Sequence, residues 1–228
     1  MKKYIFIAFA ACLLLTACSK DDQHVIDVLP ANTGTYVDLR DGFVYHYAQY
    51  GDTDWMLDNG HYFIDDETKC HKIISPDDYD QESYTKKYTK RYGYSYTLTG
   101  AKEACPDGWR VPTDEDWRKL EQAYGMSASE ALERGWRGSC AYAMREVKAD
   151  STSLGILMTG YYTSYTIMST PEHRLMGCFG MFWTSSADET KENEFFYRKF
   201  AYNRKEVWRD STEDGHVFLF VRYCRDAK

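Results

Sequence analysis

No stretch of this 228-residue chain is long and apolar enough to cross a bilayer. The longest apolar run, Tyr4 to Leu15, falls well short of the roughly 20 residues a spanning helix needs. It follows Lys2 and Lys3 and runs into small residues, which is the layout of a cleaved secretory peptide. A Lys/Arg stripe is also missing, and the formal charge is -7. Both facts argue against nucleic acid and against electrostatic attachment to anionic lipid. The one basic cluster, Lys86-Lys87 and Lys90-Arg91 with tyrosines interleaved, directly follows acidic residues 77–82 and reads as a solvated loop or edge strand. Zinc-site spacings, Cys-x-x-Cys, Gly-x-Ser-x-Gly, His-Glu-x-x-His and a phosphate loop are all lacking. Cys70-His71 with His61 has no fourth ligand at a familiar interval, and Asp65-Asp66-Glu67 and Asp77 to Glu82 lack the order of a calcium loop. Ser185-Ser186, which could be matched with His173 or His216 as nucleophile and base, read as strand and turn residues. No metal, cofactor or catalytic residue is expected.

What is present begins at the amino end. Leu15-Thr16-Ala17-Cys18 is similar to the bacterial lipobox. That likeness implies cleavage of residues 1–17 and a diacylglycerol thioether, with a further acyl chain, on Cys18. At about 0.8 kcal/mol per buried methylene, two or three chains anchor a domain stably. Ser19-Lys20-Asp21-Asp22 resembles the short acidic export signal of Bacteroidetes-type lipoproteins, which implies the outer membrane and its outward face. Residues 18–35 read as a tether, spanning on the order of 20 Å as a coil. Removing residues 1–17, with their two lysines, leaves 211 residues and a charge of -9, enough for one domain over residues 36–228.

Five cysteines remain as structural candidates in an oxidising compartment: Cys70, Cys105, Cys140, Cys178 and Cys224. Thr35 to Arg40, Asp41-Gly42 and the alternation from Phe43 to Ala48 read as a hairpin, and Gly51-Asp52 turns the chain into Trp55-Met56-Leu57. Residues 60–90 read as loops with at most short strands. Helices are predicted over Thr97 to Cys105, from the capping pattern Thr113-x-x-Asp116 to Gly125, and over Ala128 to Arg134 behind Ser127-x-x-Glu130. Strands are predicted at Leu154 to Met158, Met181 to Thr184, Glu194 to Phe200, Val207-Trp208 and His216 to Cys224.

Asp41-Gly42-x-x-Tyr45, Tyr92-Gly93-x-x-Tyr96-Thr97 and Ala104-Cys105-Pro106-x-Gly108-Trp109-Arg110-x-Pro112-Thr113-x-x-x-Trp117 occur in that order. Gly160-Tyr161, Phe182-Trp183-Thr184-Ser185-Ser186 and Val221-Arg222-Tyr223-Cys224 follow them. The series resembles the Fibrobacter succinogenes major paralogous domain over nearly all of residues 36 to 226. The chain departs from that pattern at Asn59-Gly60, where the family commonly has Asn-Leu, and by an extra residue in the last motif.

The resemblance implies an α+β, C-type lectin-like fold, related to the sulfatase-modifying factors, with two main helices packed on small twisted antiparallel sheets and long irregular loops. It implies a bridge between Cys105 and Cys224, worth about 4 to 5 kcal/mol on the chain-entropy model, with Cys140 and Cys178 as a second pair. Trp109, Trp117 and Trp183 are expected in the core. Trp136, Tyr161, Tyr162, Tyr165, His173 and Arg174 lie in or beside the segment that forms ligand loops in lectin-like folds, which suits sugar stacking or protein contact. Calcium-dependent sugar motifs are missing, and Cys224 alone in the closing segment does not make the thiol pair of a formylglycine-generating enzyme. The expected function is a non-catalytic surface lipoprotein that binds a glycan or protein. The rival is a structural part of an envelope or fimbrial assembly, and an enzyme stands third.

Overall fold

The computed structural model describes residues 28–73, 81–147, 153–164 and 173–228. Its elements are β1 (Thr33–Val37), β2 (Val44–Tyr50), β3 (Thr53–Met56), β4 (Cys70–His71), α1 (Gln81–Tyr92), β5 (Ser95–Tyr96), α2 (Leu98–Glu103), α3 (Asp114–Ala123), α4 (Ala128–Leu132), β6 (Gly135–Arg137), α5 (Ala141–Arg145), β7 (Tyr161–Thr163), β8 (His173–Arg174), β9 (Phe179–Ala187), β10 (Glu194–Ala201), β11 (Val207–Glu213), β12 (Val217–Phe218) and β13 (Cys224–Asp226). Antiparallel pairing makes two four-stranded sheets, β1-β2-β3-β13 and β6-β11-β10-β9, with a three-stranded β12-β7-β8 and a two-stranded β4-β5. The class is α+β. Among the described residues no helix is long and apolar enough to cross a membrane.

Local chemistry sets the helix starts. The Thr113 hydroxyl accepts from the Asp116 N–H at 3.0 Å, and Asp116 accepts from the Thr113 N–H at 2.7 Å, a reciprocal cap on α3. Such a cap contributes about 1 kcal/mol. Ser127 and Glu130 repeat it at α4, and Thr97 caps α2. Inside α2, Gly100 lies so close to the Lys69 carbonyl that a Cβ would meet its oxygen at 2.2 Å. The first hairpin closes through Gly42 at φ +75°, a left-handed turn that glycine takes without strain.

Residues 60–90 differ from expectation, because they contain α1, the longest described helix. Its inward side is made of polar-looking residues: Thr89 is buried, and Tyr88 and Tyr92 stack one turn apart at 6.0 Å. Gly93, at φ +77°, ends the helix by donating to the Thr89 carbonyl at 2.8 Å. The basic cluster from Lys86 to Arg91 is therefore helical and belongs to neither a loop nor an edge strand. Leu154 to Met158 is not a strand. The carbonyls of Leu154 and Gly155 accept from the Arg222 guanidinium at 2.6 and 3.1 Å in place of a ladder partner.

The core has two clusters. In one, Trp117 meets Trp55 edge-on at 5.0 Å and packs on Phe182 and Phe200. In the other are Tyr45, Tyr96, Trp109, Trp183 and Tyr223. Two buried ring polar groups have backbone acceptors: the Trp183 indole donates to the Tyr96 carbonyl at 2.7 Å and the Tyr223 hydroxyl to the Ala101 carbonyl at 2.9 Å. Leu219 to Cys224, expected as part of one strand, is wholly buried and is tied to its neighbours by isolated bridges; only its flanks pair as β12 and β13.

All five described cysteines are free thiols, so neither Cys105–Cys224 nor Cys140–Cys178 is bonded. Cys224 Sγ instead accepts from Arg110 Nη1 at 3.1 Å, with that arginine held by Asp116. Cys105 Sγ donates to the Pro106 carbonyl at 3.7 Å. Cys140 is the buried cap residue of α5, and Cys178 is half-buried in the turn before β9. Burial pushes the Cys70, Cys105 and Cys140 thiols up to about 12.

Besides the packing of Trp117 on Phe182 and Phe200, buried charge joins α3 to the second large sheet. Glu121, fully buried, accepts from Arg198 Nε at 2.7 Å and from Arg137 Nη2 at 2.8 Å. Asp114 accepts from Arg198 Nη1 at 2.8 Å and from Arg209 Nε and Nη2 at 2.8 and 2.9 Å. Removing one member of such a network leaves desolvated charge without its partner. Glu121→Gln is expected to destabilise the fold by about 3 to 5 kcal/mol, lowering Tm by on the order of 10 °C, as thermal unfolding followed by circular dichroism will measure.

For Asp114, burial by itself would raise the carboxyl. Hydrogen bonds from Arg209 and the charge of Arg198 outweigh it and hold the group at about 2, against 3.8 in the unfolded chain. A depressed native pKa gives stability that is present above the unfolded value and is lost as the pH falls through the native one. The urea midpoint of the wild type is expected to drop between pH 4 and pH 2 more steeply than that of Asp114→Asn, which will already be less stable at pH 7.

Candidate functional site

Strand alternation turns Arg198 and Phe200 of β10, Val207 and Arg209 of β11, and Arg137 of β6 toward α3 and the core. The intervening residues face the other way. Register places Trp136 opposite Trp208, Trp208 opposite Lys199, and Lys199 opposite Met181, so four strands present one transverse row. Each of these four side chains is half-buried. Trp136 and Trp208 meet edge-on at 5.4 Å. The Lys199 ammonium lies 4.4 Å from the Trp208 ring centre, 5.3 Å from that of Trp136 and 5.6 Å from that of Phe179. Arg204 covers Trp136 at 4.7 Å, and Tyr202, 61 % exposed, follows the end of β10.

Burial lowers the Lys199 pKa, with the Arg204 charge working in the same direction and Asp210 against it. Burial pushes the Tyr197 hydroxyl up to about 12. The face combines flat rings, a desolvated ammonium and a guanidinium. That chemistry stacks on sugar rings and on aromatic or acidic side chains, and it offers no nucleophile beside a base.

The sequence-based ligand residues are distributed between two sheets. Trp136 belongs to the row just described. Tyr161 and Tyr162 of β7 pair with Arg174 and His173 of β8, so these four are neighbours on the small sheet. Tyr162 is a correction: it is 3 % exposed, stacks on His71 at 3.8 Å and meets Phe218 at 5.2 Å, which makes it a core residue. Tyr161 is half-buried against the second core cluster, close enough to Tyr197 to contribute to the rise of its pKa. Tyr165 lies outside the described residues, as do the signal segment and Cys18.

Ser185 and Ser186 have structural partners. Ser185 Oγ donates to the Val111 carbonyl at 3.2 Å, and Ser186 Oγ accepts from the Asp114 N–H at 2.9 Å, at the start of α3. His61 and His71 stack on Phe43 and on Tyr162 respectively. Among the described residues no three His, Cys, Asp or Glu side chains converge on a point that could hold a metal ion.

The family model described as the Fibrobacter succinogenes major domain matches residues 48–225. The chain belongs to that family. In this Fibrobacter succinogenes major domain the matched span begins in β2 and ends in β13, so it takes in the whole aromatic row. Comparison with curated proteins and with solved structures finds no match.

Trp208, Lys199, Phe179 and Arg204 were missed by sequence reasoning. Their residue types are visible in the alternating segments 194–201 and 207–213, but only the pairing register brings them beside Trp136. The geometry separates two classes of aromatic residue. Tyr162→Ala is expected to cost about 3 to 5 kcal/mol, as truncation of a buried ring does, whereas Trp136→Ala on the edge strand will shift Tm by only a few degrees; paired thermal melts decide this.

Proposed function

We propose that this protein is an outer-membrane lipoprotein, anchored through acyl chains on Cys18 and facing outward, whose non-catalytic lectin-like domain binds a glycan or protein. The observation that carries the reading is the half-buried row Trp136, Trp208, Lys199 and Met181 on the face of β6-β11-β10-β9 turned away from α3, with Met181 and Trp208 resting on the second core cluster. Ring faces with a cation between them supply the stacking and charge that sugar or side-chain recognition uses. Small antiparallel sheets, short helices and long intervening segments support the lectin-like arrangement. The apolar run, the Leu-Thr-Ala-Cys match and the acidic residues after Cys18 support the anchor and the location. The membrane is met through lipid alone, and nucleic acid is not a partner.

One observation favours a second reading, a structural component of an envelope assembly. Strand β1 is the outermost strand of its sheet, and Val37, Leu39 and Val44 around its hairpin are 46 %, 92 % and 45 % exposed. An edge of that kind can add a strand from another chain.

Detergent-solubilised full-length protein on a glycan array, with and without chelator, separates the readings. Binding that survives chelation is expected, with Trp136→Ala and Trp208→Ala each weakening it at least tenfold, or about 1.4 kcal/mol. Binding to no glycan would move the assignment to assembly. Metabolic labelling with an alkyne fatty acid is expected to mark the wild type and not Cys18→Ser.

A further inference from the structure

Two adjoining hollows share His61 and Tyr94. One, of about 660 Å³, is lined by Lys72, Thr85, Lys86, Thr89 and Lys90 besides that pair. The other, of about 480 Å³, adds Asp41, Phe43, Tyr62 and Phe63. Each falls in the size range of sites for small ligands.

Their walls are aromatic. His61 stacks on Phe43 at 3.9 Å and 7°, Tyr94 meets His61 edge-on at 5.5 Å, and Phe63 lies 5.2 Å from Tyr94. Their rim is cationic. Lys72 sits 4.2 Å over the Phe63 ring, Lys86 and Lys90 extend from one side of α1, and none of the three has an ion-pair partner among the described residues. By contrast Lys69, Lys119 and Lys191 are all paired with carboxylates. Two further residues of the wall are packed behind it. Thr89 is only 6 % exposed, and burial lowers the His61 pKa, with the Asp41 charge and the Thr89 backbone working against that shift. Ring walls beneath a cationic rim are the chemistry that holds a sugar ring carrying negative charge.

We infer that this cleft is a binding site for an acidic saccharide, a sugar ring bearing a carboxylate or sulfate. The ring would lie against His61 and Tyr94, and the charge would face Lys72, Lys86 and Lys90. The site shares no residue with the Trp136–Trp208 face, so either can fail without the other.

The test is calorimetric titration of the full-length protein with trigalacturonate, a sulfated chondroitin disaccharide, neutral maltotriose and inorganic phosphate. Binding of trigalacturonate or the sulfated sugar is expected, weakening with added salt. Lys86→Ala with Lys90→Ala, both at exposed helix positions, should reduce affinity at least tenfold with Tm unchanged. Trp136→Ala should leave it as it is. Failure of both acidic sugars to bind, equal binding of maltotriose or of phosphate alone, or indifference to the double lysine substitution would each overturn the inference.

Discussion

The arrangement depends on a helix that buries its carboxylates. Asp114 and Glu121 lie seven residues apart on α3, on one face, and receive Arg198, Arg209 and Arg137 from three adjacent strands. Charges removed from water are tolerated only where each finds its counter-ion and its hydrogen bonds. The arginines therefore fix the sheet's register against the helix, and a slip by one residue would leave guanidinium groups unpaired. The outer face follows from the same constraint. Because side chains alternate along a strand, aiming Arg198 and Arg209 inward obliges Lys199 and Trp208 to point outward. The aromatic row is the reverse side of the charge network.

A second buried guanidinium ties the end of the chain to its middle. Arg222, fully buried, donates to Asn59 Oδ1 at 2.5 Å and to the Met56 carbonyl at 3.3 Å, as well as to Leu154 and Gly155. Burial lowers its pKa to about 10, with the Asp58 charge opposing that shift. The final segment thus links the end of β3, the loop between β3 and β4, and the segment before β7. These cross-connections, with both aromatic clusters, hold together a fold whose five described cysteines are all free.

Legibility in the sequence tracked whether the signal was local. Thr113-x-x-Asp116, Ser127-x-x-Glu130 and Asp41-Gly42 act within a few residues, and each element they mark is present. Helix α1 was missed because its inward side is tyrosine and threonine, which does not read as an apolar stripe; the Tyr88–Tyr92 spacing and Gly93 were the usable signs. Leu154 to Met158 looked like a strand because its apolar side chains enter the core, yet its carbonyls have a long-range partner in Arg222. Tyr162 and Tyr161 are adjacent and chemically alike, and only packing against His71 and Phe218 makes the first a core residue.

The sequence by itself determined the family, through an ordered series of motifs, along with the capped helices, the first hairpin and the burial of Trp109, Trp117 and Trp183. Those properties depend on neighbours in the chain or on large apolar area, both readable one residue at a time. Tertiary structure alone decided that Trp136 stands beside Trp208 and Lys199, that His61 and Thr89 share a cleft with three lysines, and that Asp114 and Glu121 are internal. Each of these joins residues far apart in the chain, and their proximity is set by strand register and helix docking, which no local pattern encodes.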